Sequence, residues 1–443
     1  MKRWVVVLLV LLAVVLLVSP GIVGQLAERS LKDRLSWAER ESADFRVTEE
    51  AFDRGWFTAV GRHRIELKHG DLRSSLLKFS GLEASDQVPA LIVDTRIDHG
   101  LVPFTSMSRQ SGSLVPALAS TVSTMQLDTG DGEAIHIPGT LYTQVGLTGA
   151  TASRYLLEPG SFDENDAEAT WQGADVSAST DSLRKELSYE GTVEPLSLST
   201  GDSNLGLKQA AFQGNSRYTD FGFMVGAISV DIDEFAYKDG ANQAVNIRNL
   251  AFNAKSDVAD GRVSGKTNVT VNGFSVPGAG EANMVMDVSA SRLDAAPVRE
   301  ILAQVRAAQR APDPDTAMQA LYPQVEDDLR TLLASGAEVR IDRFDVSLPQ
   351  GEVTTRLHFE LPEMDEGEEA SWAALLLALT ASADLRVPVA LMDLAQAATP
   401  QSGALIAMGI LKLDGDSYVV NAQYEKGLLT INGAPMPIPL PGR

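Results

Sequence analysis

The sequence predicts a mainly β protein with α insertions, an α+β fold in which an N-terminal transmembrane helix precedes a long, curved antiparallel sheet with a few packed helices. Three observations support this prediction. An unbroken apolar run extends from Val5 to Val18. From about Phe45 the apolar residues recur at every second position, and Gly, Asn or Asp interrupts them roughly every 10–20 residues, as in antiparallel sheets. Helical spacing returns late in the chain, between residues 297 and 336.

The N-terminal apolar run is long enough to cross a bilayer. Residues 4–24 number 21, and a helix rises about 1.5 Å per residue across a hydrocarbon core of about 30 Å. Lys2 and Arg3 precede this segment, and positive charge stays on the cytoplasmic side of a membrane. We therefore expect a single-pass protein of the bacterial inner membrane, with residues 1–3 in the cytoplasm and the C-terminal bulk in the periplasm.

A cleaved signal peptide is the alternative to a retained anchor. Signal peptides have an apolar core of about 7–15 residues and end in small residues at the cleavage site. Ile22-Val23-Gly24 places a bulky β-branched residue where a small one is needed. The sequence favours an uncleaved signal-anchor and leaves cleavage as the second interpretation.

Composition excludes several classes of function. The chain has 443 residues and a formal net charge of −22, which would repel the phosphates of a nucleic acid. It contains no Cys, and this excludes disulfides, thiolate catalysis and iron–sulfur clusters. A chain of this length exceeds one typical core, so we expect two or three subdomains or one elongated sheet.

Beyond the anchor the chain divides by its hydrophobic period. Residues 25–40 alternate in charge at helical spacing and are predicted to form a linker helix. Residues 41–296 are predicted to form the β-rich periplasmic region. Residues 297–336 are predicted to form a helical hairpin joined by Ala311-Pro312-Asp313-Pro314. Residues 337–443 are predicted to supply further strands and helices that complete the sheet.

The middle of the chain carries a weak internal repeat, in which an apolar residue is followed a few positions later by Phe. The repeat units are Leu207–Phe212, Val230–Phe235, Ile247–Phe252, Val269–Phe274 and Val339–Phe344. Successive strands of a meander that each contribute one Phe to a shared face would produce this pattern. We therefore expect Phe212, Phe235, Phe252 and Phe274 to share one apolar face, which is either packed core or a surface that holds a ligand.

Three short blocks, together with the anchored start, resemble a known family. The blocks are Phe52-Asp-Arg-Gly-Trp-Phe57, His99-Gly-Leu-Val-Pro-Phe104 and Tyr424-Glu-Lys-Gly-Leu-Leu-Thr-Ile-Asn-Gly433. They are similar to the YdgA-like family of bacterial inner-membrane-anchored periplasmic proteins, whose biochemical function is unknown. Leu101 and Val102 depart from the usual second block, which reads His-Gly-Pro. The resemblance implies the topology and the fold, and it supplies no catalytic residues.

Motifs that carry chemistry are incomplete in this sequence. Gly261 to Thr267 resembles a phosphate-binding loop but is one residue short and lies between predicted strands, so we expect no nucleotide. Two Ser-x-x-Lys matches, Ser75–Lys78 and Ser182–Lys185, lack the partner motifs of a serine enzyme. His63 and His69 flank one predicted strand and are more typical of a polar strand surface than of a zinc site. We therefore predict no catalytic, cofactor or metal residues.

Two classes of function follow from these features. The first is a non-enzymatic cell-envelope protein whose β-rich region holds a lipid or a segment of a partner protein. The second is a periplasmic hydrolase, in which scattered Ser, His and Asp side chains would meet in space. A scaffold of the envelope without a ligand is a third interpretation.

Overall fold

The computed structural model describes most of the chain after residue 44. The described ranges are 45–67, 90–99, 117–128, 134–164, 167–183, 185–201, 203–240, 243–276, 280–309, 311, 314–364, 371–398 and 401–436. Within these ranges the chain forms 24 strands and six helices. All of the strand pairs with a defined register are antiparallel.

Strands extend through the whole described chain. They are β1 Phe45–Arg54, β2 Thr58–Leu67, β3 Ala90–His99, β4 Ala117–Asp128, β5 Ala134–Gly146, β6 Thr151–Leu157, β7 Gly160–Glu164, β8 Ala167–Trp171, β9 Ala174–Thr180, β10 Glu186–Val193, β11 Leu196–Thr200, β12 Ser203–Leu207, β13 Ala210–Tyr218, β14 Met224–Asp239, β15 Gln243–Ala259, β16 Arg262–Val276, β17 Gly280–Asp294, β18 Glu338–Leu348, β19 Gly351–Glu360, β20 Thr380–Pro388, β21 Lys412–Asp414, β22 Ser417–Glu425, β23 Leu428–Ile431 and β24 Ala434–Met436.

The helices are short and lie in the C-terminal half of the described chain. They are α1 Ala295–Gln309, α2 Pro314–Gln319, α3 Tyr322–Ala334, α4 Trp372–Ala378, α5 Val389–Ala398 and α6 Gln401–Ala407. The second helix of the predicted hairpin is split into α2 and α3. Pro323 lies in the first turn of α3, where its missing N–H is tolerated, whereas inside one continuous helix it would remove a hydrogen bond.

Contacts divide the chain into two units. The first comprises Met1–Pro159 with Gly173–Gly191, and the second comprises Gly160–Gln172 with Thr192–Arg443. In the first unit, β1 to β6 form a meander in which each strand pairs with the next. Strand β6 then pairs with β9, and β9 pairs with β10.

The second unit contains a longer meander. Strands β7 and β8 form a hairpin, β8 pairs with β11, and β11 pairs with β12. Strands β12 and β13 pair with successive parts of β14. From β14 to β20 each strand pairs with the next. Strand β20 pairs with β22, which also contacts β21 and β23, and β24 closes the series beside β23.

Tight turns that contain Gly connect several of the strands. Asp260 and Gly261 join β15 to β16 with φ of 50° and 74°, and Lys426 and Gly427 join β22 to β23 with φ of 52° and 78°. Two consecutive positive φ angles give the turn whose twist matches that of the flanking strands.

Each unit has a small apolar core of its own. In the first unit Ala59, Ile97, Ala119 and Val145 form a buried cluster on one face of the meander. In the second unit Phe223, Val225 and Ala295 are buried, and Val258, Val263, Val298 and Leu302 pack against them. Helix α1 therefore covers the end of β15 and the start of β16.

The predicted mainly antiparallel sheet with a few helices is confirmed. None of the helices in the described ranges is long and apolar enough to cross a membrane. The predicted anchor at residues 4–24 and the predicted linker helix at residues 25–40 lie outside the described residues.

Candidate functional site: an apolar face of the second unit

Strand register brings the four predicted Phe residues into two cross-strand rows. In the first row Phe212 pairs with Val230, Val230 with Phe252, and Phe252 with Val269. Directly paired residues of antiparallel strands project from the same face. We call these four residues the first Phe row.

Each residue of the second row lies five positions in sequence from a residue of the first. Leu207 pairs with Phe235, Phe235 with Ile247, and Ile247 with Phe274. These four residues are the second Phe row. Each row therefore contains two of the four predicted Phe residues, separated by branched aliphatic side chains.

Strict alternation would place the two rows on opposite faces, because residues five apart along a strand differ in parity. The strands are irregular between the rows. Asn249 in β15 has a φ of 47°, Gly273 in β16 has a φ of 131°, and the register of β16 against β17 shifts between Asn272 and Phe274. An irregular residue of this kind resets the alternation. We infer that both rows project from one face, which we call the Phe face.

The exposure pattern agrees with this reset. In β15 the adjacent residues Arg248 and Asn249 are both exposed, whereas Ile247 and Leu250 on either side are partly buried. Two neighbouring exposed residues interrupt the alternation of a strand. We call this line of irregular residues in β15 and β16 the crease.

Charged side chains bridge the crease. Arg248 forms an ion pair with Glu281 across Gly273. A Cβ atom at residue 273 would lie 3.0 Å from Nε of Arg248 and 3.0 Å from Oε1 of Glu281. The absence of a side chain at Gly273 therefore lets this ion pair pass over the strand.

The four Phe side chains are partly buried and belong to neither buried cluster of the described chain. The opposite face of the same strands is polar. Asn253, Lys255 and Asp257 alternate with Phe252 in β15 and are exposed. Arg217 forms an ion pair of 2.6 Å with Asp257. Hydrogen bonds to Asp257 from the backbone N–H of Val258 and then from Arg217 lower the pKa of its carboxyl group.

Apolar side chains continue beyond β16. The first Phe row extends from Val269 to Met286 and Phe344. Farther along the meander Val339 pairs with Phe359, and these side chains are 40% and 43% exposed. Val339 and Phe344 bound one of the repeat units, whereas the sequence carries no signal for Met286 or Phe359. Their connection to the Phe rows depends on strand pairing over long sequence distances.

A buried polar group lies on one face of the first unit. His63, His99, Thr95 and Ser123 are each 3–6% exposed, and the hydroxyls of Thr95 and Ser123 are 2.8 Å apart. His69, the other half of the predicted histidine pair, lies outside the described residues. The burial of His63 contradicts the expectation of a surface histidine, because the face of β2 that carries His63 is the one that packs inward.

The carboxylate of Asp94 does not join this polar group. Asp94 precedes Thr95, so alternation directs its side chain to the other face of β3. There it accepts hydrogen bonds of 2.8 and 2.9 Å from Arg62. That interaction lowers the pKa of Asp94, with the hydrogen bond as the main cause. Asp94 therefore forms a surface ion pair with Arg62 and does not lie beside His63.

The other motifs considered in the sequence lie in ordinary strands and turns where the structure describes them. Gly261 to Thr267 begins at the β15–β16 turn and continues as strand β16, so the helix that a phosphate loop needs does not follow. Ser182 lies in the turn between β9 and β10, and Ser75 lies outside the described residues. Among the residues described, no group of three or more His, Asp or Glu side chains could hold a metal ion.

Comparison with known proteins identifies a family. A family model described as "Bacterial protein of unknown function (DUF945)" matches residues 1–439. No curated protein and no solved structure matches the chain.

Proposed function

The chain belongs to the DUF945 family of bacterial proteins of unknown function, and from that premise we propose a non-enzymatic cell-envelope protein that holds a lipid tail against its Phe face. In this proposal residues 4–24 anchor the chain in the inner membrane and the β-rich region lies in the periplasm. The apolar run after Lys2 and Arg3 supports the anchor and its orientation. The resemblance to the YdgA-like family supports the same topology.

One observation carries the lipid-holding proposal: the two Phe rows form an apolar surface whose aromatic side chains remain partly exposed. A core residue in a well-packed sheet loses nearly all contact with water, because protein interiors have few voids. Phe212 and Phe252 remain partly in contact with water, although their strands lie in the middle of the meander. A flexible hydrocarbon chain laid along these rows would remove that surface from water without requiring specific polar contacts.

The chemistry of the Phe face favours a hydrocarbon over a polar ligand. Ile228, Val230 and Phe252 occupy it near the first row, whereas the charged residues Lys255 and Asp257 project from the reverse face. A site for a polar ligand needs a few convergent polar groups to fix orientation. A lipid tail needs only apolar area and a path along the sheet.

Site-specific photo-crosslinking in cells tests this proposal. A benzophenone amino acid replaces Phe252 in one variant and Asn253 in a matched control, since the two residues are neighbours in β15 on opposite faces. We expect lipid adducts at residue 252, identified by mass spectrometry of the purified protein, and few at residue 253. Protein adducts at residue 252 would indicate that the Phe face binds a segment of a partner protein and not a lipid. Equal labelling at both residues would refute a ligand specific to the Phe face.

A further inference from the structure

The turn between β1 and β2 presents aromatic side chains to solvent. Trp56 and Phe57 are 57% and 52% exposed, and Val60, near the start of β2, is 57% exposed. Within the described ranges, Trp56 and Phe57 are the only two large exposed apolar residues that are adjacent in sequence. Burial of apolar surface drives association, so contact of these side chains with another apolar surface would be favourable.

The turn is ordered by backbone hydrogen bonds. The N–H of Gly55 donates to the carbonyl oxygen of Thr58 at 2.7 Å, and the N–H of His99 in β3 donates to the carbonyl oxygen of Phe57 at 2.9 Å. The two aromatic residues therefore sit on a fixed backbone. A surface that is already ordered loses little conformational entropy when it is buried.

The size of this patch favours a bilayer over a protein partner. Two aromatic rings and one Val side chain expose on the order of a few hundred Å², whereas a specific protein interface buries about 1,000 Å² or more. The interface of a bilayer has no such minimum, and Trp is enriched there because its ring suits the headgroup region. A small aromatic patch on a turn therefore fits the membrane surface best.

Charges near the turn are balanced. Arg62 pairs with Asp94 at 2.8 Å, and Arg96 lies 3.5 Å from Asp98. Asp53 and Arg54, the last two residues of β1, are adjacent and exposed. The turn therefore presents no excess of positive charge to anionic lipids, and its attraction to a bilayer would come from apolar burial. Zwitterionic lipid should suffice.

We infer that the β1–β2 turn inserts Trp56 and Phe57 into the interface of the bilayer that anchors the chain. This inference rests on the proposed anchor at residues 4–24. The anchor ends about 20 residues before β1 begins at Phe45, and such a tether keeps the local concentration of lipid high. A tethered domain needs only a weak second contact, which two aromatic side chains supply.

Single-cysteine fluorescence of the full chain tests this inference, because the natural sequence contains no Cys. Phe57→Cys and, as the control, Leu183→Cys receive the same environment-sensitive fluorophore. Leu183 is 73% exposed in the turn between β9 and β10 of the same unit. Both proteins are reconstituted in phosphatidylcholine nanodiscs, with and without a quencher attached to the lipid acyl chains.

We expect at least a threefold greater quenching at residue 57 than at residue 183, and adding Trp56→Ala to the Phe57→Cys variant should reduce it. Equal quenching at both residues in protein that remains bound to nanodiscs would overturn the inference and leave the anchor intact. Protein recovered without nanodiscs would overturn the anchor and the inference together. Neither outcome depends on whether the Phe face holds a lipid.

Discussion

Gly273 controls the local geometry of the Phe face. Its φ of 131° lies in a region that L-residues with a side chain rarely adopt. It also lies directly under the ion pair between Arg248 and Glu281. A side chain at this position would oppose both the backbone conformation and the ion pair.

Gly273→Ala should therefore destabilise the second unit. Strain at a positive φ and the contacts of 3.0 Å with Arg248 and Glu281 should lower the free energy of unfolding by about 1–3 kcal/mol. The control is Gly265→Ala in the same strand, where the new Cβ would meet only the carbonyl oxygen of Lys255, at 3.8 Å. Urea unfolding measures both variants. Equal stability of the two would show that the crease does not need glycine.

Glu338 is a carboxylate whose ionisation stabilises the folded state. Ser291 donates a hydrogen bond of 3.0 Å to it, and His358 lies 3.1 Å away. The hydrogen bond from Ser291 is the main cause of a lowered pKa at Glu338, followed by that from His358. A carboxyl group with a lowered pKa in the folded state contributes stability above its unfolded pKa, and this contribution disappears as the pH falls through the folded value.

The difference in unfolding free energy between the natural chain and Glu338→Gln should therefore depend on pH. It should be largest above about pH 5 and should shrink as the pH falls below about 4.3, the usual pKa of a glutamate. Urea midpoints at several pH values between about 3 and 7 measure this difference. A difference that stays constant across this range would mean that ionised Glu338 makes no specific contribution.

The long strands of the second unit show what periodicity predicts and what it does not. Alternation and the recurrent Gly, Asn and Asp residues predicted the strands. The Phe repeat has a spacing of five between rows, which conflicts with an uninterrupted strand. Only backbone angles at Asn249 and Gly273 resolve the conflict. A sequence pattern cannot supply these angles for Asn249, because asparagine also occurs in ordinary strand conformations.

Phe252→Ala should cost less than the removal of a core aromatic residue. Full burial of Phe corresponds to about 3–5 kcal/mol on truncation, and Phe252 is only partly buried. We expect a loss of about 1–2 kcal/mol in the free energy of unfolding. Asn253→Ala, on the exposed reverse face, should change it by less than about 0.5 kcal/mol. A loss of about 3–5 kcal/mol at Phe252 would identify the Phe face as packed core.

At the scale of the whole chain, the sequence predicted the fold class from local patterns, but the partners of each strand required the structure. Val339 and Phe359 are separated by 20 residues, and Phe252 and Phe344 by 92. The antiparallel register nevertheless places the two residues of each pair in the same cross-strand row. The burial of His63 likewise depends on which face of its meander packs inward. When both faces of a strand carry polar and small residues, the hydrophobic period does not indicate which face packs inward.

The topology of the whole chain can be tested with two fusions after Arg443. Alkaline phosphatase folds to an active enzyme only outside the cytoplasm, and a suitable fluorescent protein becomes bright only inside it. The basic residues Lys2 and Arg3 before the apolar run predict an active phosphatase and a dark fluorescent fusion. A bright fluorescent fusion with an inactive phosphatase would reverse the orientation.

Quantitative mass spectrometry of lipids bound to the detergent-extracted full chain tests the central claim most directly. The natural chain is compared with the double variant Phe212→Ala/Phe252→Ala and with Gln213→Ala/Asn253→Ala, whose positions are the exposed neighbours in the same two strands. A lipid-holding Phe face predicts that co-purified lipid falls severalfold in the Phe variant and is unchanged in the control. The same amount and composition of lipid in all three proteins would contradict the account.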